Sequence, residues 1–478
     1  MNWEIVLLIA AVVVFLVELL GILAAGHAIM HVRTSQGAVA WGISLVTFPW
    51  LALPLYAVFG RGKFKGYVSL RQVRDDKIRH VIEQSKMGAT GKSLIVDNPA
   101  KSEVTLTRLA ELPITRFNKS RLLINGRETF RAIFEGIEAA REYVLVEFFI
   151  VKDDSLGRKL KSRLIQKAKE GVRVYFLYDE IGSHKLSEAY IREMREAGVI
   201  TSAFHTTRGK TNKFQLNFRN HRKIVVIDGK TAFVGGHNVG DEYAKGHPRL
   251  GPWRDTHMAV EGPVVQAIQF CFFQDWYWAT SGVPDLSWDL MPAKDGTEKT
   301  LMIASGPADD LDTCALMFTE AINSARERIW IASPYFVPDS QILGALKLAA
   351  LRGVDVRILL PEKPDHRIVY LASFSYYQNT LPLGIQLYRY TAGFMHQKVF
   401  LVDAVCAAVG TANLDNRSFR LNFELTLLNY DPGFIRSVEE MLSADFARSR
   451  KVTMADYSRR NPIFRFAVRA ARLLSPIL

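Results

Sequence analysis

His221-Arg222-Lys223-Ile224-Val225-Val226-Ile227-Asp228 decides the reading of this chain, because its frame returns as His396-Gln397-Lys398-Val399-Phe400-Leu401-Val402-Asp403. Both copies are H-x-K-x-x-x-x-D, and 11 histidines in 478 residues do not produce that frame twice by chance. Each copy is followed at the same offset by a small-residue pair and an asparagine: Gly235-Gly236-His237-Asn238, then Gly410-Thr411-Ala412-Asn413. Lys223 to Ile227 reads as a strand, Asp228-Gly229 as a hairpin turn, and Thr231 to Val234 as the return strand. Residues two apart on a strand share a face, so His221 and Lys223 point into one site, as do His396 and Lys398. Two matching half-sites imply one active site in which one histidine attacks and the other handles protons.

The repetition extends outward. Upstream of the first motif, Leu122-Leu123-Ile124 reads as a strand and Phe130 to Arg141 as a helix. Tyr143 to Ile150 is a buried strand, Leu156 to Glu170 an amphipathic helix, and Val172 to Tyr178 a strand again. Ala140-Arg141-Glu142-Tyr143-Val144 reappears as Ala325-Arg326-Glu327-Arg328-Ile329, and Glu170-Gly171-Val172-Arg173-Val174 as Arg352-Gly353-Val354-Asp355-Val356. A long internal duplication is the simplest account. Alternating strands and helices predict an α/β fold with a mostly parallel sheet in each half. Two halves packed face to face would bring their motifs together near a pseudo-twofold axis.

The first sixty residues differ from the rest. Ile5 to Ala25 is apolar except for Glu18, and Ala38 to Phe59 is apolar throughout. Each has the length of about 20 residues that a helix needs to cross a bilayer. They predict a two-span hairpin, with Glu18 turned to the partner helix or to a headgroup and with kinks at Pro49 and Pro54. The alternative is a pair of buried core helices. Arg61, Lys63, Lys65, Arg71 and Arg74 follow the second span, which places the bulk of the protein in the cytoplasm by the positive-inside rule.

The net charge of +13 favours anionic partners, whether nucleic acid or acidic lipid. Arg208, Lys210, Lys213, Arg219 and Arg222 crowd the approach to His221, either as a headgroup funnel or as a solvated loop. Cys271, Cys314 and Cys406 form no C-x-x-C pair, which argues against a disulfide framework or a zinc site. Near the C-terminus, Arg465, Arg469 and Arg472 share one helical face, with Phe464, Phe466, Leu473 and Leu474 on the remainder. That pattern fits a helix in a membrane interface or a packing helix with a solvated basic stripe.

The paired motif points to two-step phosphodiester chemistry. One imidazole attacks phosphorus to give a phospho-histidine; the other protonates the leaving alcohol and deprotonates the incoming one. Lys223, Lys398, Asn238 and Asn413 would hold the non-bridging oxygens. The chemistry needs no metal or other cofactor. A carboxylate on the second ring nitrogen must orient each imidazole. Asp255, in Trp253-Arg254-Asp255-Thr256-His257, and Glu424, in Asn422-Phe423-Glu424, are the candidates, although spacing alone does not separate them from surface carboxylates. His257 reads as structural or surface, and Cys406 as a small buried residue.

The doubled motif with its trailing glycine and asparagine resembles the phospholipase D superfamily. The N-terminal hairpin and Gly235 to Tyr243 narrow this to a resemblance to the bacterial cardiolipin synthases. Asn413-Leu414-Asp415-Asn416-Arg417-Ser418, Ser333-Pro334-Tyr335-Phe336-Val337-Pro338 and the terminal Leu473 to Leu478 narrow it in the same direction. The second motif departs in having Gly410-Thr411 where Gly-Ser is commoner; threonine keeps the hydroxyl. The resemblance implies two duplicated phospholipase D-like halves, each a mixed β-sheet flanked by helices, behind the transmembrane hairpin. The corresponding divisions are 1–60 (hairpin), 61–115 (connector), 116–290 and 291–460 (the halves) and 461–478 (basic tail). It implies a phosphatidyltransferase of the bacterial inner membrane that joins two phosphatidylglycerols into cardiolipin and glycerol, with no nucleic-acid partner. The catalytic set is then His221, Lys223, Asp228, His396, Lys398 and Asp403, with His221 as nucleophile and His396 as general acid and base. The same resemblance raises Asp255 and Glu424 to His-orienting positions. A membrane-bound hydrolase, a nuclease of the same superfamily and a non-catalytic lipid-binding scaffold are the rival readings.

Overall fold

The computed structural model describes residues 3–32, 34–60, 64, 67, 93–205 and 217–478. They fall into two compact units, one with the N-terminal helices and one with the α/β body.

In the first unit, α1 (Trp3–His31) runs for 29 residues. At 1.5 Å per residue it is about 43 Å long, more than the ~30 Å of a bilayer's hydrocarbon core. Its most apolar stretch is 6% buried, so it is not the core helix of a soluble fold. The second expected span is not one continuous helix. It divides into α2 (Ser35–Thr47) and α3 (Pro49–Phe59), with Phe48 between them at φ −136° and ψ 57°. Pro49 is the cause: it has no N–H to continue the helix, and its ring drives the preceding residue out of the helical region. Gly21 lets α1 lie close against this break, since a Cβ there would sit 2.4 Å from the Leu45 carbonyl. His27 Nδ1 meets the Tyr56 hydroxyl at 2.8 Å and joins α1 to α3. Glu18 is exposed and does not face the partner helices. The basic residues after the hairpin, Arg61, Lys63, Lys65, Arg71 and Arg74, lie outside the described residues, as do Arg208, Lys210 and Lys213.

The second unit shows the duplication strand by strand. Its first half holds β1 (Thr115–Ile124), β2 (Tyr143–Phe148), β3 (Arg173–Asp179), β4 (Ile200–Phe204), β5 (Arg219–Asn220), β6 (Ile224–Ile227), β7 (Thr231–Gly235), β8 (Trp253–Arg254) and β9 (Thr256–Glu261). The second holds β10 (Glu298–Ser305), β11 (Arg328–Ala332), β12 (Phe336–Val337), β13 (Asp355–Pro361), β14 (Gln386–Tyr390) and β15 (Phe394–Met395). It continues through β16 (Val399–Val402), β17 (Cys406–Gly410), β18 (Leu414–Asp415), β19 (Asn422–Asn429) and β20 (Ser449–Lys451). The first half is ordered β1-β9-β7-β6-β2-β3-β4 and the second β10-β19-β17-β16-β11-β13-β14, with β20 on the outer edge.

The sheet is mixed, not mostly parallel. Among the described residues, only β2-β3-β4 and β11-β13-β14 pair in parallel along this order; its other ladders are antiparallel. The parallel pairs are those with a helix in the connection, such as Ser155–Lys169 between β2 and β3. The motif strands β6 and β16 return through tight turns, and a tight turn forces antiparallel pairing. The halves meet edge to edge, β1 against β10, which makes one continuous 16-stranded sheet. Separate apolar cores pack around the helices of each half. All three cysteines are buried.

Two matching helices each carry one buried aspartate: Asp275 in α4 (Val264–Thr280) and Asp445 in its counterpart α5 (Pro432–Ala447). The tail helix α6 (Pro462–Leu473) packs against the body on one face. Val468 and Ala471 are buried in the core, and Phe464 packs edge-on against Phe374 at 5.3 Å. Ile463, Phe466 and Leu473 stand at least 75% exposed on another face of the same helix.

Candidate active site

The two motif strands are too short to build a site alone; each is completed by a residue from the other half. β5 leads into His221 and pairs in parallel with the start of β19, whose Phe423 carbonyl accepts the His221 N–H at 3.0 Å. β15 leads into His396 and pairs in parallel with β8, whose Arg254 carbonyl accepts the His396 N–H at 2.8 Å. The residue after each accepting carbonyl is the orienting carboxylate, Glu424 within β19 and Asp255 between β8 and β9. His221 Nδ1 lies 2.9 Å from Glu424 Oε2, and His396 Nδ1 lies 2.7 Å from Asp255 Oδ2. Each imidazole is thus held by the opposite half. With Nδ1–H donating to a carboxylate, the Nε2 lone pair of each ring is left for chemistry.

The two half-sites differ behind the carboxylates. Glu424 also accepts from Thr411 Oγ1 at 2.5 Å, Ser418 Oγ at 2.8 Å and Asn422 Nδ2 at 3.2 Å. Asp255 accepts from the Thr256 N–H at 2.8 Å and sits against Gly236, where a Cβ would come within 2.0 Å of its Oδ1. A buried pair, His237 and His257, joined Nδ1 to Nδ1 at 3.0 Å, adjoins it. His257 is therefore an interior residue of the site region. Aromatic rings fix both imidazoles: Phe149 stands edge-on to His221 at 5.0 Å, and Tyr243 and Trp253 flank His396 at 5.9 and 5.7 Å.

Burial governs the proton affinities. It pushes His221 down to about 4 despite the Glu424 carboxylate, and it lowers His396 as well, with the neighbouring Lys398 charge acting in the same direction. Both rings are neutral at neutral pH. Burial likewise pulls Lys223 down to about 7 and Lys398 to about 8, and the Lys398 charge lowers Lys223 further. Burial acts upward on both carboxylates but is outweighed: by His237, His396 and Lys398 around Asp255, and by His221 and Lys223 around Glu424. Both stay ionised. Lys223 Nζ and Lys398 Nζ each donate to the carbonyl of their own histidine at 2.5 Å.

Three expectations need correction. Asp228 and Asp403 are not in the site. They lie five residues along the strand from the lysines, about 16 Å away. Asp228 accepts from the backbone N–H groups of Arg141, Glu142 and Tyr143 at 2.8–2.9 Å. Asp403 does the same for Arg326, Glu327 and Arg328 at 2.8–3.0 Å. Both have φ near +50°, where the turn closes, so their role is to tie the strand end to the neighbouring chain. Arg222 does not gather headgroups. It is buried, with its guanidinium 2.6 Å from Asp275 and a further bond to the Glu424 carbonyl at 3.1 Å. Asn238 is committed to the loop, accepting from Ile150 N at 3.1 Å and donating to Tyr243 Oη at 2.8 Å, which leaves one N–H. Asn413 differs: its Oδ1 is buried without a hydrogen-bond partner among the described residues.

In the sequence, Arg254 stands out only as a neighbour of Asp255. Its guanidinium reaches across the halves to Asp445 with bonds of 2.9 and 2.7 Å, and Gln397 donates to the same carboxylate at 2.8 Å. The sequence signal was clear for Asp275, the one acid in the apolar helix α4, and absent for Asp445, which shares α5 with Glu439 and Glu440; a buried charge requires a partner. Asp365, whose charge acts on His396 and Lys398, and its partner Tyr335 also belong to the site region; the sequence marked the Ser333–Pro338 segment but gave Tyr335 no role, and it did not mark Asp365.

Residues 133–246 and 318–446 match the family model described as cardiolipin synthase, PLD-like domain. A cardiolipin synthase A of Pseudomonas putida is 49% identical over 467 residues, covering 97% of each chain. A cardiolipin synthase A of Pseudomonas aeruginosa is 48% identical over 467 residues, covering 97% of this chain and 95% of the other. Among solved structures, a phosphatidylserine synthase of Haemophilus influenzae superposes with a TM-score of 0.57 at 15% identity, covering 79% of this chain and all of that one. That last likeness concerns the fold.

Proposed function

The chain belongs to the cardiolipin synthase family, and from that premise we propose that it transfers a phosphatidyl group from one phosphatidylglycerol to another, releasing glycerol and forming cardiolipin. The observation that carries the reading is the crossed pairing, in which each neutral imidazole is oriented by the other half's carboxylate. His221 Nε2 attacks phosphorus; the P–O bond to glycerol breaks, and the leaving oxygen takes a proton from His396. The anionic phosphodiester raises the proton affinity of His396, which supplies that proton despite the ring's neutrality in the empty site. His396 then removes the proton from the hydroxyl of the second phosphatidylglycerol. The freed oxygen attacks phosphorus and the P–N bond breaks, which restores His221. Lys223, Lys398 and Asn413 hold the non-bridging oxygens during both displacements.

Exchange of one phosphodiester alcohol for another leaves the bond types unchanged, so the acceptor that reaches the intermediate sets the product. Anchoring by α1 supplies lipid hydroxyls at high local concentration. We read α2 and α3 as a broken second span, with the catalytic unit in the cytoplasm. The exposed Ile463, Phe466 and Leu473 beside three arginines suit an anionic bilayer surface. The test uses purified protein in phosphatidylglycerol vesicles, with cardiolipin, phosphatidic acid and glycerol all measured. Cardiolipin and glycerol in equal amounts are expected; phosphatidic acid without cardiolipin would make the protein a hydrolase. His396→Ala should accumulate a phosphatidyl-protein adduct and His221→Ala should not, and the reverse pattern would exchange the two roles.

A further inference from the structure

The segment Ser333 to Pro338 and the loop after β13 have no part in the chemistry above, yet both lie beside it. β11 ends at Ala332, which pairs with Val399, the residue after Lys398. Tyr335 is three residues past that point, at the same end of the sheet as His396 and Lys398. Ser333 Oγ fixes its position by donating to the Tyr335 carbonyl at 2.9 Å and accepting from Leu414 N, next to Asn413, also at 2.9 Å. The parallel pairing of Phe336–Val337 with Leu414–Asp415 continues the attachment. β13 runs parallel to β11, so its following loop emerges at this end too, and it carries Asp365.

Tyr335 Oη donates to Asp365 Oδ2 at 2.6 Å, and His366 N donates to Oδ1 at 2.8 Å. His366 Nε2 lies 3.7 Å from Oδ2. An ionised carboxylate has about four lone-pair positions, so two remain. The Asp365 side chain is 22% exposed and lines a recess with Pro334, Tyr335, His366 and Tyr370. Its charge acts on both His396 and Lys398.

Among the described residues, the first half has no such pair. Val151 bridges Val239 as Phe336 pairs with Leu414, which makes Ile150 the counterpart of Tyr335. Nearby, Ser183 Oγ is committed to Val151 N at 3.0 Å and the Phe149 carbonyl at 3.1 Å. On the His221 side Ile150 and Ser183 stand at the positions of Tyr335 and Asp365, and Ser183 is taken up by the backbone; on the His396 side a carboxylate is held open. A fixed negative charge repels a phosphate oxygen but accepts hydrogen bonds from neutral hydroxyls.

We infer that Tyr335 and Asp365 form a polyol subsite beside His396, which recognises the alcohol group through the hydroxyl adjacent to the reacting one. Asp365 accepts from that second hydroxyl, and Tyr335 orients the carboxylate. The subsite selects vicinal diols such as a glycerol headgroup over simple alcohols, and it depends on the phosphatidyl-transfer reading above.

The test is acceptor partition in the full-length protein. Phosphatidylglycerol vesicles are given isotope-labelled glycerol and 1-propanol together, and labelled phosphatidylglycerol is compared with phosphatidylpropanol. Asp365→Asn should shift the product ratio about tenfold towards propanol, because the site no longer rewards the second hydroxyl. If Asp365→Asn does not fold, Tyr335→Phe decides, with a shift in the same direction. A wild-type ratio in the deciding variant overturns the subsite, as does loss of transfer to both alcohols in a variant that melts like wild type. A wild-type protein that forms neither cardiolipin nor either alcohol product overturns the transfer reading, and the subsite with it; one that forms cardiolipin but no glycerol product overturns the subsite alone.

Discussion

At the scale of single residues, the site depends on burial more than on motif chemistry. Burial keeps His221 neutral down to about pH 4, so its Nε2 lone pair is present across the physiological range. The same burial puts Lys223 near 7 and Lys398 near 8, which is costly, because a neutral amine no longer attracts a phosphate. For the free enzyme, kcat/KM should rise as pH passes about 4 and His221 loses its proton. It should fall again between about 7 and 8 as the lysines lose theirs. Because the lysines interact, the alkaline limb reports the pair. Lys223→Arg, which stays charged, should move that limb to higher pH; a limb at the same position would assign it to another group. The repeat displayed these lysines and histidines in plain view. Their proton affinities were not legible, because burial in the folded site sets them, opposed by Asp255 and Glu424 from 140 to 200 residues away in the chain.

At the scale of elements, Asp228 and Asp403 show how a motif can contain a residue that its chemistry does not use. Each closes a turn after a four-residue strand and gathers three backbone N–H groups that the sheet leaves unpaired. Asp228→Ala should therefore cost stability, about 2–4 kcal/mol for three orphaned donors less what water recovers. A denaturant midpoint will show this. The fraction that remains folded should keep its turnover per molecule, whereas a chemical role would abolish it. The second apolar stretch makes a related point. Its composition announced a span, and Phe48-Pro49 divided it, through a steric rule that acts on two residues and redirects the whole segment. Helix α6 bears out packing on one face only: Val468 and Ala471 pack inward while Ile463, Phe466 and Leu473 stay outside.

At the scale of the whole molecule, the active site is an exchange between halves. Each half contributes a histidine and a lysine to its own motif and a carboxylate to the other's. The buried Arg254–Asp445 pair bridges the same boundary, and truncating one partner of such a pair costs about 3–5 kcal/mol because a charge is left alone in the interior. Since both motifs and both carboxylates lie in one chain, His221→Ala and His396→Ala chains produced in the same cell should not restore cardiolipin to one another. Lipid extracts from a strain lacking other sources of cardiolipin will test this; restored cardiolipin would mean that sites form between chains.

The sequence alone determined what is local or repeated: the duplicated frame, the side-by-side histidine and lysine on each strand, the hairpin turn at Asp228-Gly229, and an N-terminal helix too apolar for water. These are period-two and period-3.6 patterns, and steric rules read them within a few residues. Tertiary structure alone decided what crosses the duplication. It turned Asp255 and Glu424 from two carboxylates among many into the partners of the opposite histidines, withdrew Asp228 and Asp403 from the site, and set Arg222 against Asp275. The physical reason is that a buried charge is defined by its partner. Here the partners belong to different halves of the chain, and only the packing of one half on the other brings them together.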